Sequence, residues 1–170
     1  DHYIGSKKKL FESLKKDSFA IINKDDSYGF EMGREIVAKS LFYGINESGN
    51  FKGKVIENNI SGLSIEIDGY EITSRLIGEF NAYNLLAVYA VTRTLGQDPL
   101  TILTILSNLK APEGRFEYVI SPSKITAIID YAHTPDALEN ILKTLVSLKK
   151  GSEKIITVFG CGGDRDNGKR

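Results

Sequence analysis

Apolar residues recur along this chain with two periods, and the changes of period divide it into elements. Residues 4–16 have the helical spacing, and 18–23 form a short strand. The polar turn Asn23, Lys24, Asp25, Asp26, Ser27 can cap a helix starting near Tyr28, and 40–45 predicts another strand. From 51 to 77 the period becomes two, through Val55 and Ile56, then Leu63, Ile65 and Ile67, then Tyr70 and Ile72. Asn58-Asn59 and Asp68-Gly69 supply the turns of a small antiparallel meander. Residues 80–95 are mostly apolar and predict a buried helix closed by Gly96. Asp98-Pro99 opens the next helix, with Ile102, Leu103, Leu106 and Leu109 on one face.

The run Lys110, Ala111, Pro112, Glu113, Gly114 breaks the pattern and marks a domain boundary. Beyond it, 125–129 reads as a buried strand ending at Asp130. Thr134 suits an N-cap and Pro135 the first helical position, and Leu138, Ile141, Leu142, Leu145 and Leu148 follow at helical spacing. Lys149 and Lys150 fall in the last turn, with Gly151 past it, and 154–159 reads as a second buried strand. This is a β-α-β unit. The whole is an α/β chain with two partial domains, 1–111 and 112–170.

Composition narrows the partners. An apolar share of 41% with 26% charged residues is ordinary for a globular chain. Lysine plus arginine and aspartate plus glutamate each number 22, so no net field recruits nucleic acid or an anionic membrane. The single Cys161 excludes an internal disulfide and suits a reducing cytoplasm. No apolar run approaches the roughly 20 residues that span a bilayer.

Candidate chemistry gathers where apolar runs end in turns, as in the ligand sites of open α/β sheets. Asp130, Tyr131, Ala132, His133, Thr134 and Pro135 follow the first strand of the β-α-β unit. Gly160, Cys161, Gly162, Gly163, Asp164, Arg165, Asp166, Asn167, Gly168 and Lys169 follow the second. Three further stretches stand out: Gly78-x-Phe80-Asn81-x-x-Asn84, Gly114-Arg115-x-Glu117, and Tyr3-x-x-x-Lys7 followed by Leu10 and Phe11. With these five ordered motifs the chain resembles, from end to end, the Mur ligases, ATP-dependent amide ligases of peptidoglycan synthesis. Its likeness is to the branch adding the third residue of the stem peptide.

That resemblance implies a fold and an activity. Residues 1–111 would be the C-terminal part of a central ATP-binding domain, and 112–170 the start of a Rossmann-like C-terminal ligase domain. The implied reaction joins diaminopimelate or lysine to UDP-N-acetylmuramoyl-L-alanyl-D-glutamate through an acyl phosphate, with ATP and Mg²⁺. A cytoplasmic monomer serving cell-wall growth, shape and division is expected. The family's phosphate-binding loop normally lies upstream of Tyr3 and its amino-acid-selecting motif downstream of Arg170. The chain is therefore expected to be a piece of a longer protein, inactive by itself.

Each candidate residue has a plainer alternative. On a helix wheel Tyr3, Leu10, Phe11 and Leu14 fall within about 60° of Lys7, while Lys8, Lys9, Glu12, Lys15 and Lys16 fall on the other side. Lys7 is thus the lysine centred on the apolar arc, either snorkelling to water or held as a reactive amine. The resemblance implies a carbamate on Lys7, an oxygen ligand suited to Mg²⁺; Ser6 departs from the family's usual alanine. Asn81 and Asn84 suit caps by themselves, and the resemblance implies that they serve nucleotide binding, with Asn84 facing adenine. Arg115 and Asp130 are implied at the base and ribose, reaching from a second domain that closes on ATP. His133 is either structural or a polyphosphate or acyl-phosphate contact beside a helix N-terminus.

Gly163-x-x-x-x-Gly168-Lys169-Arg170 mimics a Walker A loop, but Arg170 stands where a Mg²⁺-binding hydroxyl is needed. The resemblance instead assigns Arg165 to the carboxylate of the incoming amino acid. Two other classes remain open: a related ligase acting on another substrate, of folylpolyglutamate or cyanophycin type, and a non-catalytic α/β module.

Overall fold

The computed structural model describes residues 2–160, with side chains from Tyr3 onward, and the chain forms two compact units, Asp1–Leu109 and Lys110–Arg170. In the first, β1 (Phe19–Asn23), β2 (Lys39–Gly44), β3 (Phe51–Asn59), β4 (Gly62–Ile67) and β5 (Tyr70–Ser74) lie side by side in that order. β1 and β2 are parallel along their length. β3 overlaps β2 only through Tyr43 with Phe51 and Gly44 with Lys52. From β3 onward the sheet is antiparallel, as the period-two pattern requires.

Four helices accompany this sheet: α1 (His2–Glu12), α2 (Gly29–Gly33), α3 (Glu79–Thr94) and α4 (Pro99–Ser107). α3 lies on β1 to β4, and α4 on α3 and β5. The core is built from Leu63, Ile65 and Ile67 of β4, Ala82, Leu85, Leu86, Tyr89 and Ala90 of α3, and Ile102, Leu103 and Leu106 of α4. Burying one such Leu or Ile stabilises the fold by about 1.5–3 kcal/mol. Val88 and Val91, on the other side of α3, are exposed. Burial, then the neighbouring Asp68 carboxylate, pushes the Tyr89 hydroxyl up to about 12.

Local chemistry explains the turns. Asp68 and Gly69 both adopt positive φ, 50° and 84°, the pairing that a tight hairpin between right-twisted strands demands. The β3–β4 turn falls at residues 60–61, two past the expected Asn58-Asn59, because the Asn59 Oδ1 accepts from the Ser61 N–H at 2.8 Å and Asn59 stays in the strand. Asn58 instead accepts from the Gly78 N–H at 3.0 Å, holding the start of α3. α4 opens as expected: Asp98 caps the Thr101 N–H at 2.8 Å and Pro99 is its first residue.

The second unit contains an antiparallel hairpin, β6 (Glu117–Ile120) with β7 (Thr126–Ile129), and α5 (Pro135–Leu148). Thr134 caps α5 through the Ala137 N–H, and Gly151 follows with φ of 54°. Two expectations are corrected. The strand at 125–129 is not buried, since Ile125 and Ile129 are exposed. Residues 154–159 form no strand at all, with Ile156 86% and Val158 93% exposed. A strand needs a neighbour for its N–H and C=O groups. β6 and β7 pair with each other, and among the described residues no third strand joins them. Phe116 is the one buried side chain described in this unit.

Candidate functional site

α1 presents a different face from the one the helix wheel favoured. Lys7, Tyr3 and Leu10 are exposed, and the Lys7 ammonium rests 4.5 Å from the centre of the Tyr3 ring. Lys8, placed by the wheel on the solvated side, is the half-buried lysine and pairs with Glu31 of α2 at 2.8 Å. That hydrogen bond and its charge raise the Lys8 pKa and lower that of Glu31. The physical reason is the neighbour: α2 offers Lys8 a carboxylate, whereas nothing described in this unit covers the arc of Tyr3 and Leu10. Among the described residues no three His, Cys, Asp or Glu side chains converge to hold a metal.

The first two turns of α3 carry the two asparagines. The Asn81 Nδ2 donates to the Ile77 carbonyl at 2.8 Å, and its Oδ1 accepts from the Asn84 Nδ2 at 3.1 Å. Neither caps the helix at its first position, which Gly78 occupies without a side-chain bond. Asn84 is exposed, with its amide oriented by Asn81.

Beside these turns lies a carboxylate that the sequence reading passed over. Asp25, just beyond β1, accepts from the Ile45, Asn46 and Glu47 N–H groups at 2.7, 2.9 and 2.7 Å, and from the Tyr83 hydroxyl at 2.9 Å. Partial burial alone would raise its pKa, but those backbone and hydroxyl donors hold it below the usual aspartate value. Tyr83 is pushed up to about 12, by burial first and then by its bond to Asp25. Its oxygen also accepts from the Asn46 Nδ2 at 3.2 Å. The available signal was position: Asp25 follows the end of a strand into a polar turn, as Asp130 does.

In the second unit Arg115, Asp130, Tyr131 and His133 gather at the carboxyl end of β7. Both Asp130 oxygens are engaged, Oδ2 by the Phe116 N–H at 2.8 Å and Oδ1 by the Ala132 N–H at 2.7 Å. Asp130 thereby ties the strand end to the segment preceding β6, a structural duty. Each carboxylate oxygen can accept a second bond, so a ligand hydroxyl is still accommodated. The Arg115 guanidinium lies 5.0 Å from the centre of the Tyr131 ring, and the exposed His133 ring meets the Tyr131 edge at 5.1 Å. His133 Nδ1 is 3.0 Å from the Tyr131 carbonyl. A carbonyl only accepts, so Nδ1 carries the proton and Nε2 can donate to an anion only when the ring is cationic. Arg165 lies outside the described residues, as do Lys169 and Cys161.

Residues 1–92 match the model of the Mur ligase middle domain, and 114–170 that of the Mur ligase glutamate ligase domain. The chain is 52% identical over all 170 of its residues to the UDP-N-acetylmuramoyl-L-alanyl-D-glutamate--2,6-diaminopimelate ligase of Cytophaga hutchinsonii. It is 46% identical over its whole length to the enzyme of that name from Parabacteroides distasonis. It spans 35% of the length of each. A solved structure of a UDP-N-acetylmuramoyl-L-alanyl-D-glutamate--2,6-diaminopimelate ligase superposes with a TM-score of 0.68 at 30% identity, covering 99% of this chain and 36% of that one. The α/β architecture, the ordered motifs and these matches agree: the chain belongs to the Mur ligase family.

Proposed function

We propose that the protein containing this chain is an ATP-dependent ligase that adds diaminopimelate, or lysine, to UDP-N-acetylmuramoyl-L-alanyl-D-glutamate. The observation carrying this reading is the 52% identity across all 170 residues to a ligase named for that reaction with diaminopimelate. The glutamyl carboxylate attacks the γ-phosphate of ATP, releasing ADP and leaving an acyl phosphate. The amine of the amino acid then attacks the acyl carbon, expels phosphate and forms the amide bond. Residues 1–111 would belong to the central ATP-binding domain and 112–170 to the C-terminal ligase domain. The work would take place in the cytoplasm and serve the cell wall. Among the described residues no helix is long and apolar enough to cross a membrane.

Individual roles are carried over from the family resemblance. Asn84, its amide oriented by Asn81, is proposed to contact the adenine, which needs both a donor and an acceptor. Arg115, over the Tyr131 ring, and Asp130 are proposed for the base and the ribose. His133 stands immediately before the capped N-terminus of α5, where backbone N–H groups favour a phosphate oxygen. Lys7 as a carbamate would supply a Mg²⁺ ligand, and Arg165 would hold the carboxylate of the incoming amino acid.

The test is made on the full-length protein with ATP, UDP-N-acetylmuramoyl-dipeptide, and diaminopimelate or lysine. Product with one of the two amino acids, and release of one phosphate per amide bond, are expected. Lys7→Ala should lower turnover at least 100-fold, about 2.7 kcal/mol, while leaving the melting temperature intact. No tripeptide product with either amino acid would refute the reading, and near-normal turnover of Lys7→Ala would remove Lys7 from it.

A further inference from the structure

Asp25 occupies the most heavily hydrogen-bonded position in the first unit that the proposed chemistry leaves unused. Three consecutive N–H groups of the segment after β2 converge on its two oxygens, and the fourth donor is a side chain 58 residues away, the Tyr83 hydroxyl. The site is built for this carboxylate. Gly44, at the end of β2, has no side chain, and a Cβ there would sit 2.7 Å from the Glu47 carbonyl oxygen and 3.1 Å from Asp25 Oδ1. Any other residue at position 44 would push the loop off the carboxylate.

Tyr83 stands between Asn81 and Asn84 in the first two turns of α3. The N-cap position, Gly78, contributes no side-chain bond, so the helix start is held from outside. Asn58 holds the Gly78 N–H, and the Tyr83–Asp25 bond fixes the helix start against the carboxyl ends of β1 and β2. Further along, Leu85, Leu86 and Tyr89 already bury the helix in the core. The polar tether thus adds rotational and positional control at the end where Asn81 and Asn84 stand.

We propose that Asp25 and Tyr83 are positioning residues for nucleotide binding: their hydrogen bond sets the orientation of the Asn81–Asn84 amide pair. This rests on the assignment of Asn84 to the nucleotide, and the experiment separates the two. Full-length ligase is prepared as wild type, Tyr83→Phe, Asn84→Ala and the double variant, with Asp25→Asn as a second break of the tether. Tyr83→Phe keeps the ring and its packing, so the protein remains folded for assay.

Tyr83→Phe should raise the KM for ATP roughly ten-fold, with the KM for the amino acid unchanged and kcat at saturating ATP near wild type. The double variant should be no worse than Asn84→Ala, because both changes remove one function. Asp25→Asn should reproduce the Tyr83→Phe pattern. If Asn84→Ala raises the KM for ATP and Tyr83→Phe adds to it independently, or shifts only the melting temperature, positioning is wrong and the Asn84 assignment stands. If Asn84→Ala leaves the KM for ATP unchanged, that assignment falls and positioning falls with it.

Discussion

α4 and α5 begin alike, each with a capping side chain followed by proline, yet they end in opposite surroundings. α4 buries Ile102, Leu103 and Leu106 against α3 and β5, whereas no side chain of α5 is buried. The contrast extends to the units. In the first, β4 contributes Leu63, Ile65 and Ile67 to a continuous core beneath α3. In the second, Ile129, Val146, Ile156 and Val158 face solvent. An apolar stripe specifies that a face is to be covered, and it is silent about what covers it. Stability in this chain should therefore reside in the first unit.

Truncation of single side chains probes this contrast most strongly. Ile65→Ala should cost about 2–5 kcal/mol, as for a filled core site. Ile129→Ala should cost less than about 1 kcal/mol, because its side chain is already half exposed. Urea titration of both variants checks the pair, and equal losses would mean that the second unit has a core of its own.

Acid should distinguish the units next. The Asp25 carboxyl has its folded pKa below its unfolded value of about 3.9. Its contribution is therefore full above that value and is lost as pH falls through the folded pKa. Thermal melting followed below about pH 4 should show the first unit destabilising, and Asp25→Asn should flatten that dependence. An unaltered acid slope in Asp25→Asn would assign the effect elsewhere.

The helix caps give the smallest and finest comparison. Asp98 accepts from both the Thr101 N–H and its hydroxyl, at 2.8 and 2.9 Å, whereas Thr134 accepts from the Ala137 N–H alone, at 3.3 Å. Caps are worth about 0.5–2 kcal/mol, so Asp98→Ala should fall in the middle of that range and Thr134→Ala at its lower end. Chemical denaturation monitored by helical circular dichroism would rank them, and a larger loss at Thr134 would reverse the argument.

In each unit the residues proposed for function were legible as motifs where their chemistry is local. Asn81, Asn84, Arg115, Asp130 and His133 stand in short motifs, and the Thr134-Pro135 start of α5 places His133 beside a helix N-terminus whatever the rest of the fold does. Asp25 and Tyr83 were not legible, because their significance is a bond between residues 58 apart in sequence. Tyr131 was read only as part of a motif, and its service as a platform for Arg115 is a matter of tertiary placement.

By itself the sequence determined the helix starts at Pro99 and Pro135, the Asp68-Gly69 hairpin, the α/β class and the likeness to the Mur ligases. Each depends on caps, φ preferences, periodicity or ordered motifs, all carried by residues a few positions apart. Tertiary structure alone decided that Lys8 rather than Lys7 is drawn against a neighbouring helix, since the attraction belongs to Glu31. It also decided that 154–159 stays outside any sheet, since a strand exists only by pairing with another. Burial and pairing are properties of two partners, and a periodic pattern describes only one of them.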